Sequence, residues 1–330
     1  MKQEEYLDIL ETMSSKRNQR ILATDLRGKL FRKYLILENF LKGRAGLIKS
    51  FLALMPDFLK SQNNTREQVN ILDAEIILRD IFGKSVLTPV SLFSYKLYYS
   101  PQESITATEK YLYFFGLIQL IKQIILKDQY RAGEFIKDNF TIIDAGANIG
   151  IFSLFVHHLA PDAKIYAFEP APKIFDILNR TVVTNKLSDR IHIFQQALGN
   201  RKCRVKFMTS MAFNDPLATG SIVADSEFSK NRQEIFYQSV ITPMTTIDNF
   251  VEEHKIDKVD FIKIDTEGYE KQILVGAEKT IKTFRPIISC SAYHLKEDKT
   301  EIPQLIKSFV PRYNFTLGEK AEEVFLSRVI

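Results

Sequence analysis

A chain of 330 residues with 45% hydrophobic and 26% charged residues is long enough for two domains, and this composition excludes a disordered or fibrous protein. Two cysteines are too few for a disulfide framework, and the polar start of the chain is not a secretory signal, so we expect a cytoplasmic protein. The net charge of +5 lies in the first 140 residues, which hold 21 Lys and Arg against 16 Asp and Glu.

Residues 1–126 are predicted to form a mostly helical N-terminal region, because apolar residues recur there at spacings of three and four. The apolar run at 111–126 contains polar residues and is shorter than the roughly 20 residues of a membrane-spanning helix, so a buried helix is predicted. Basic residues concentrate between Lys16 and Lys49, which favours a solvated helix face. The alternative is peripheral docking on a membrane surface or an acidic carrier. No motif indicates binding to nucleic acid.

Residues 127–330 are predicted to form a second domain. After Thr141, short apolar runs alternate with amphipathic segments, which indicates a parallel sheet with crossover helices. The predicted strands are TIID, KIYAFEP, IHIFQQAL, VDFIKID and RPIISCSAY, and the predicted helices are IGIFSLFVHHLA, PKIFDILNRTVVTN and EKQILVGAEKTI. The tail RYNFTLGEKAEEVFLSRVI is typical of two strands joined by a short turn, so we expect a hairpin at the end of the sheet.

The first predicted strand runs into a glycine-containing loop, Asp144-Ala-Gly146-Ala-Asn148-Ile-Gly150. Open α/β folds bind ligands at this edge of the sheet, and the glycines let a ligand approach the backbone. An acidic residue precedes the first glycine, and an asparagine stands where the dinucleotide fingerprint has its second glycine. Because Asp144 disfavours a pyrophosphate, the loop predicts a cofactor with a cationic end, such as a sulfonium-bearing amino acid.

An acidic residue also ends the second predicted strand. Glu169 follows KIYAF, nineteen residues after Gly150 (169 − 150), where a carboxylate can accept hydrogen bonds from both hydroxyl groups of a ribose. Alone, such a residue is more often a helix cap or a solvated charge. In this order and at this spacing, the loop and Glu169 together predict a nucleoside site and favour S-adenosylmethionine over NAD.

Several separated motifs of the second domain resemble one family. In chain order they are IIDAGANIGIFSLF, YAFEPAP, QQALGN, TTIDNF and FIKIDTEGYEKQILVGA, and over roughly residues 135–330 they resemble the FkbM family of S-adenosylmethionine-dependent methyltransferases. The resemblance implies an α/β class I methyltransferase (Rossmann-like) fold, with a seven-stranded, mostly parallel sheet and an antiparallel C-terminal hairpin. It also implies O-methylation of a hydroxyl group on a sugar, glycan or related natural-product acceptor.

The resemblance further implies which residues hold the cofactor. The loop under the methionine part would contain Asp144, Gly146, Asn148 and Gly150, Glu169 would bind the ribose hydroxyl groups, and Gln196 and Ala197 would lie beside the adenine.

The segment IKIDTEGYE is expected to supply the chemistry, because Asp265 follows the strand whose end faces the methyl group in this fold. Asp265 would position or deprotonate the acceptor hydroxyl group, or alternatively anchor the amino group of the cofactor. Glu267 would be catalytic or would orient the turn before Gly268. His294 would be a general base, a contact to the acceptor or a polar loop residue. Glu270 is interpreted as a carboxylate stabilised by the first turn of its helix.

Asp265, Glu267 and His294 have the side-chain types that bind a divalent cation, but their spacing is not a recognised metal signature, so no metal site is predicted. The segment NDPLATGS at residues 214–221 is typical of a loop that closes over a substrate. If the N-terminal region covers the acceptor, its basic stretch favours an anionic one such as a phosphate-linked glycan.

Two other classes of protein stay open. One is a non-catalytic binding protein that keeps the fold. The other is an NAD-dependent sugar oxidoreductase, which the missing third glycine of the fingerprint disfavours. The sequence predicts neither the identity of the acceptor nor the oligomeric state.

Overall fold

The computed structural model describes residues 90–99, 117, 120–210, 221–222, 237–318 and 324–329. The helices predicted before residue 90, the basic stretch from Lys16 to Lys49, and residues 214–220 of the predicted substrate loop lie outside these ranges. Within the described part of the chain, no helix has the length and apolar character that crossing a bilayer requires.

Strands and helices alternate after residue 140, as the sequence pattern predicts. In chain order, the strands are β1 (Val90–Leu92), β2 (Tyr95–Leu97), β3 (Thr141–Ala145), β4 (Lys164–Phe168), β5 (Ile191–Phe194), β6 (Ala197–Leu198), β7 (Cys203–Ser210), β8 (Ser221–Ile222), β9 (Tyr237–Thr245), β10 (Phe261–Ile264), β11 (Ile287–Ser291), β12 (Tyr313–Leu317) and β13 (Val324–Val329). The helices are α1 (Ala132–Phe135), α2 (Ile151–Leu159), α3 (Pro172–Thr184), α4 (Ile247–Glu253), α5 (Glu270–Val275), α6 (Glu278–Phe284) and α7 (Asp298–Phe309), and a π-helical turn at Lys122–Leu126 precedes α1.

Seven strands form the main sheet, in the order β12-β13-β11-β10-β3-β4-β5. The strands β3, β4, β5, β10 and β11 are parallel, whereas β13 runs antiparallel to both β11 and β12. The chain lays down β3 first and then adds strands on each side of it, so β3 and β10 flank the point where ligands bind in open α/β folds. The predicted class I methyltransferase sheet with an antiparallel C-terminal hairpin is therefore confirmed.

The central strands are buried along their whole length, a pattern that parallel strands show when helices cover both faces. Every residue of β3 and every residue of β10 is buried. The helix α2, which follows β3, buries seven of its nine residues. Because parallel strands end at one edge of the sheet, this core brings together the loops after Ala145, Phe168 and Ile264.

The predicted helix EKQILVGAEKTI is in fact two helices, α5 and α6, which are separated near Gly276. A Cβ atom at Gly276 would lie 1.9 Å from the carbonyl oxygen of Gly199, so only glycine fits where these two segments cross. The Asp248 carboxylate then supports the start of α6, because its Oδ1 accepts a hydrogen bond of 2.8 Å from the Thr280 backbone nitrogen. A long-range backbone contact thus divides a segment whose apolar spacing is continuous.

A second sheet, which the sequence pattern does not indicate, lies between β5 and α4 in the chain. Its order is β6-β9-β7-β8. The strands β7 and β9 pair antiparallel from Cys203–Met244 to Ser210–Tyr237. Near the end of β9, exposed residues such as Ile241 alternate with buried ones such as Met244, so only one face of this sheet packs on the core.

The strands β1 and β2 form a hairpin within the region predicted to be mostly helical. The hairpin packs on α3, where the Lys96 backbone nitrogen donates to Asn185 Oδ1 (2.8 Å) and Asn185 Nδ2 donates to the Lys96 carbonyl oxygen (2.7 Å). The Tyr98 backbone nitrogen also donates to the Thr181 hydroxyl group (3.2 Å). The described part of the N-terminal region is therefore not helical throughout.

Candidate active site

The loop after β3 turns through three residues with positive φ, namely Gly146 (79°), Asn148 (52°) and Gly150 (93°). The Gly146 backbone nitrogen donates to the carbonyl oxygen of Phe168 (3.1 Å), which ties the loop to the end of β4. A Cβ atom at Gly146 would lie 2.0 Å from the carbonyl oxygen of Asp265. Only glycine thus fits at position 146, because the ends of β3 and β10 are in close contact there, whether or not a ligand also binds.

Asp144, at the end of this strand, is fully buried and its charge is balanced inside the protein. Its Oδ1 lies 3.1 Å from the ammonium nitrogen of Lys263, and its Oδ2 accepts a hydrogen bond of 2.8 Å from the Ser153 hydroxyl group. We refer to Asp144 and Lys263 as the buried ion pair. The cation beside the Asp144 carboxylate in this structure is Lys263, and the expectation that the carboxylate faces a cationic cofactor stays a prediction. The place of Asp144 in a cofactor loop stays a prediction too.

Glu169 lies where the sequence predicts it, directly after β4, and only 1% of it is exposed. Its Oε2 accepts a hydrogen bond from the Asn148 backbone nitrogen (3.0 Å), and its Oε1 accepts one from the Ala171 backbone nitrogen (2.9 Å). Burial raises the pKa of the Glu169 carboxyl group to about 7, although these two donors and the Lys263 charge act in the opposite direction. The carboxylate connects the glycine loop to α3, and each oxygen keeps a lone pair for a further donor.

A small cleft opens at the carboxyl edge beside these loops. Its lining residues include Gly146, Phe168, Gln196, Ala197, Leu198 and Phe207. Gln196 and Ala197 therefore lie in the wall, next to large apolar side chains that offer a flat, water-excluding surface. Phe207 comes from β7 of the second sheet, and no sequence signal points to it.

Asp265 directly follows β10, and two tyrosine hydroxyl groups donate to its carboxylate. The Tyr130 hydroxyl group donates to Oδ2, and the Tyr293 hydroxyl group donates to Oδ1 at 3.2 Å. The Tyr130 ring packs edge-on against Phe152, with 5.4 Å between centroids, and its centroid lies 5.2 Å from the Lys263 ammonium nitrogen. Both oxygens of Asp265 are thereby fixed in direction, and each keeps a lone pair for another donor.

The imidazole of His294 lies among three carboxyl groups. Its Nδ1 is 3.0 Å from Glu270 Oε1, and its Nε2 is 3.7 Å from Asp265 Oδ1 and 3.8 Å from Glu267 Oε2. Burial alone would lower the pKa of His294, but the carboxylates of Glu270, Asp265 and Glu267 outweigh it and raise the pKa to about 10. We refer to these four residues as the acidic cluster.

A turn at Glu267 (φ 59°) and Gly268 (φ 99°) directs the Glu270 carboxylate back towards the end of β10. Glu270 Oε1 accepts hydrogen bonds from the backbone nitrogens of Thr266 (2.8 Å) and Gly268 (3.3 Å). Glu270 is 99% buried, so its interpretation as a helix-end charge is incomplete. It holds the turn and contacts the imidazole.

The structure thus brings together Asp265, Glu267 and His294, the three residues predicted to be catalytic. Thr266 and Tyr269, which alternate with members of the cluster along the chain, line the cleft, whereas the cluster residues themselves are not among its lining residues. A carboxylate with fixed orientation beside an apolar cleft can bind a hydroxyl group and accept its proton.

Three neighbours of the site are missing from the sequence prediction, namely Tyr130, Lys263 and Tyr293, and Glu270 is predicted there only as a charge at a helix end. Lys263 carries a signal, since a lysine inside an otherwise apolar strand needs a buried partner. Tyr293 also carries a sequence signal, because it directly precedes His294. Tyr130 lies 135 residues before Asp265, and no local spacing connects the two.

Comparisons with known proteins match this chain to one family of methyltransferases. A family model described as the methyltransferase FkbM domain matches residues 144–317. The chain is 26% identical over 160 residues to methyltransferase sdnD of Sordaria araneosa, covering 42% of this chain and 60% of that protein. It is 26% identical over 184 residues to 31-O-demethyl-FK506 methyltransferase FkbM of Streptomyces tacrolimicus, covering 49% and 70%. It is 25% identical over 153 residues to 2-O-methyltransferase NoeI of Sinorhizobium fredii, covering 45% and 62%.

The match spans less than two thirds of sdnD and NoeI, so it describes a shared domain. Among solved structures, the chain is similar to methyltransferase FkbM from Methylobacillus flagellatus. That similarity has a TM-score of 0.44 and 17% identity, and it covers 68% of this chain and 56% of that one.

Proposed function

Because this chain belongs to the FkbM methyltransferase family, we propose that it is an S-adenosylmethionine-dependent O-methyltransferase. The proposed acceptor is a hydroxyl group of a sugar, glycan or related natural product. Two relatives support the choice of oxygen, since their names give the methylated position as 31-O and 2-O. The observation that carries the proposal is the Asp265 carboxylate, which two tyrosine hydroxyl groups fix in direction and whose sequence neighbour Thr266 lines the apolar cleft.

The residues around the cleft fit the proposed cofactor. Phe168, Leu198 and Phe207 offer an apolar surface for an adenine, and Gln196 adds a polar amide at its edge. Glu169 keeps acceptor capacity for the ribose hydroxyl groups at the strand end where such a carboxylate is expected. When bound, S-adenosylmethionine supplies a methyl group activated by a sulfonium centre.

The protein then has two tasks at the acceptor. It must orient the hydroxyl group and take its proton. Asp265 does both in this proposal, because Tyr130 and Tyr293 hold its two oxygens in place and leave one lone pair on each for the acceptor. His294 and Glu267 lie next to Asp265 and would contact the rest of the acceptor.

Two measurements on the full chain test this proposal. Calorimetry with S-adenosylmethionine and with NAD decides the cofactor, and we expect binding of the former alone. Release of S-adenosylhomocysteine is then followed with a panel of hexoses, sugar phosphates and polyketide alcohols. Binding without release for any member would support a non-catalytic protein, and binding of NAD alone would overturn the proposal.

With an acceptor in hand, Asp265→Asn should lower single-turnover methyl transfer at saturating cofactor by roughly 100-fold or more, the range that general-base catalysis supplies. Glu253→Gln is the matched control, since Glu253 is an exposed carboxylate that pairs with Lys202. If Asp265→Asn weakened cofactor binding and left the saturated rate intact, Asp265 would be an anchor for the amino group of the cofactor.

A further inference from the structure

Two carboxyl groups of the acidic cluster, those of Asp265 and Glu270, have the imidazole of His294 as their only cationic neighbour among the described residues. Three carboxyl groups, from Asp265, Glu267 and Glu270, lie within 3.0–3.8 Å of one imidazole. Among the described residues, no lysine or arginine forms an ion pair with Asp265 or Glu270. Buried carboxylates are costly unless a cation compensates them, so this arrangement leaves room for a further positive charge.

Buried polar atoms in the cluster also lack hydrogen bonds. Glu270 is 1% exposed, and its Oε2 has no hydrogen-bond partner among the described residues. The His294 side chain is 5% exposed; its Nδ1 lies 3.0 Å from Glu270 Oε1 in an ion pair, and its Nε2 has no hydrogen-bond partner among the described residues. Its Nε2 faces Asp265 Oδ1 at 3.7 Å, which is too long for a hydrogen bond. An unsatisfied buried group usually costs about 1–3 kcal/mol, and such groups are retained where they meet a ligand.

The spacing of the candidate ligand atoms is close to what a single metal ion requires. Asp265, Glu270 and His294 each offer a ligand atom, and these atoms all lie within 4.8 Å of one another. Bonds from imidazole nitrogen and carboxylate oxygen to a small divalent cation are about 2.0–2.2 Å long. Two ligand atoms on one ion are therefore at most about 4.4 Å apart (2 × 2.2). The gap of 3.7 Å between His294 and Asp265 is already within this limit, and the other separations, which are all within 4.8 Å, exceed it by at most about 0.4 Å (4.8 − 4.4).

We propose that Asp265, Glu270 and His294 form a binding site for one divalent cation. Glu270 can serve two purposes, because Oε1 holds the turn through Thr266 and Gly268 while Oε2 remains for the ion. Two carboxylates and one imidazole favour a first-row transition cation such as Fe²⁺ or Zn²⁺ over Ca²⁺ or Mg²⁺, which prefer oxygen ligands alone, and Mn²⁺ serves as a spectroscopic probe of such a site. The site uses Glu270 in place of Glu267, the residue that the sequence suggested for such a set.

The role of the cation rests on the proposed function. A divalent ion with open positions at the border of the cleft can take acceptor oxygens as ligands and lower the pKa of a bound hydroxyl group. It would select acceptors that offer a hydroxyl group beside another oxygen atom. Asp265 would then hold both the ion and the acceptor, with Tyr130 and Tyr293 fixing its orientation.

The binding test uses the full chain after EDTA treatment and dialysis, with MnCl₂ as the probe and with neither cofactor nor acceptor present. Electron paramagnetic resonance and calorimetry should report one Mn²⁺ per chain, and saturating Mn²⁺ should raise Tm. Glu270→Gln and His294→Gln should each weaken Mn²⁺ binding at least tenfold. Glu301→Gln, at an exposed carboxylate that pairs with Lys271, should leave it unchanged.

Two outcomes would overturn the site: wild-type protein that binds no Mn²⁺, or variants that all bind it equally well. Circular dichroism shows whether each variant folds, and Glu267→Gln keeps the test decisive if Glu270→Gln does not fold, because it should retain most Mn²⁺ binding. Titration of S-adenosylmethionine in EDTA separates the two proposals. Cofactor binding without Mn²⁺ binding would overturn the metal site alone, whereas Mn²⁺ binding without cofactor binding would overturn the proposed function alone.

Discussion

The ends of β3 and β10 lie side by side at one edge of the sheet, yet their charged groups are arranged differently. In the buried ion pair, one carboxylate faces one ammonium group at 3.1 Å. In the acidic cluster, three carboxyl groups share one imidazole. A balanced buried pair needs no further partner, whereas a surplus of one sign costs stability and is retained where it binds or reacts. The residues that stabilise this edge of the sheet have balanced charges, whereas the residues proposed to bind and react there have a surplus of negative charge.

The difference changes how Asp144 is understood. From the sequence, the aspartate beside the glycines is the more prominent acidic group, and it is assigned to a cationic ligand. In the structure its carboxylate is occupied by Lys263 and Ser153. In the cluster after β10, Glu270 Oε2 is buried without a hydrogen bond, and no lysine or arginine of the described residues pairs with Glu270, so this cluster is the better place to look for a cation.

The largest expected effect comes from breaking the buried ion pair. Lys263→Met fills a similar volume but leaves the Asp144 carboxylate buried without its cation, so we expect the free energy of unfolding to fall by about 3–5 kcal/mol. Urea denaturation monitored by circular dichroism measures this change. Adding Asp144→Asn to the same chain should recover part of the loss, because the second substitution removes the uncompensated charge.

Lys258→Met is the matched control for this experiment. Lys258 pairs with Asp260 at 3.2 Å, but its side chain is 47% exposed, so its loss should cost about 1 kcal/mol or less. Equal losses in the free energy of unfolding for the two variants would show that the buried ion pair stabilises the protein no more than an exposed one.

A smaller effect, on activity, is expected from the tyrosines that hold Asp265. Tyr130→Phe keeps the ring packed on Phe152 and near Lys263, and removes only the hydroxyl group that donates to Asp265. Hydrogen bonds to charged groups contribute about 1.5–3 kcal/mol, so we expect methyl transfer to slow by about 10-fold or more. Tyr293→Phe should cost less, because its hydrogen bond is 3.2 Å long.

Single-turnover rates, cofactor affinity and Tm should be measured together for both tyrosine variants. We expect the rate to fall while cofactor affinity stays within about twofold of the wild-type value. A fall in Tm with an unchanged rate would make Tyr130 a packing residue. That outcome would mean that the segment before β3 does not contribute to methyl transfer.

The sequence predicts the main sheet well because its signals are local. Buried parallel strands appear as short apolar runs, and the tail from residue 312 shows its hairpin through its own alternation. The second sheet is harder to predict from the sequence, since β7 and β9 are partly exposed and pair across a gap of more than 25 residues. The division between α5 and α6 depends on the Gly276–Gly199 contact, which no spacing reveals.

In the candidate site too, local sequence signals predict some residues, and long-range contacts determine the others. Asp265, Glu267 and His294 are predictable because each directly follows a strand that ends at the ligand edge. The same argument predicts Glu169 but not the two backbone donors that hold it. Tyr130 reaches Asp265 only through the packing of the segment before β3 against α2, and Glu270 reaches His294 only through a turn with two positive φ angles. Such contacts depend on tertiary structure, which local patterns do not encode.

The smallest expected effect concerns backbone strain at Glu267. A non-glycine residue at φ 59° is strained, and such strain persists at sites where the side chain has a function. Glu267→Gly should therefore raise the free energy of unfolding by about 0.5–1 kcal/mol, since glycine adopts this conformation without a steric penalty. Glu267→Gln keeps the strain, and its partly exposed charge contributes about 1 kcal/mol or less, so stability should stay near the wild-type value.

Lys186 provides the control, because it has nearly the same backbone conformation (φ 57°) but lies just after α3, away from the acidic cluster. Lys186→Gly should give a similar gain in stability with no change in methyl transfer, whereas both Glu267 variants should lower the rate. Thermal unfolding and single-turnover assays on the three proteins decide the matter. If Glu267→Gly gained stability and kept full activity, the strain at this turn would serve only to aim Glu270, and the surplus of charge that sets the acidic cluster apart would shrink to Asp265 and Glu270.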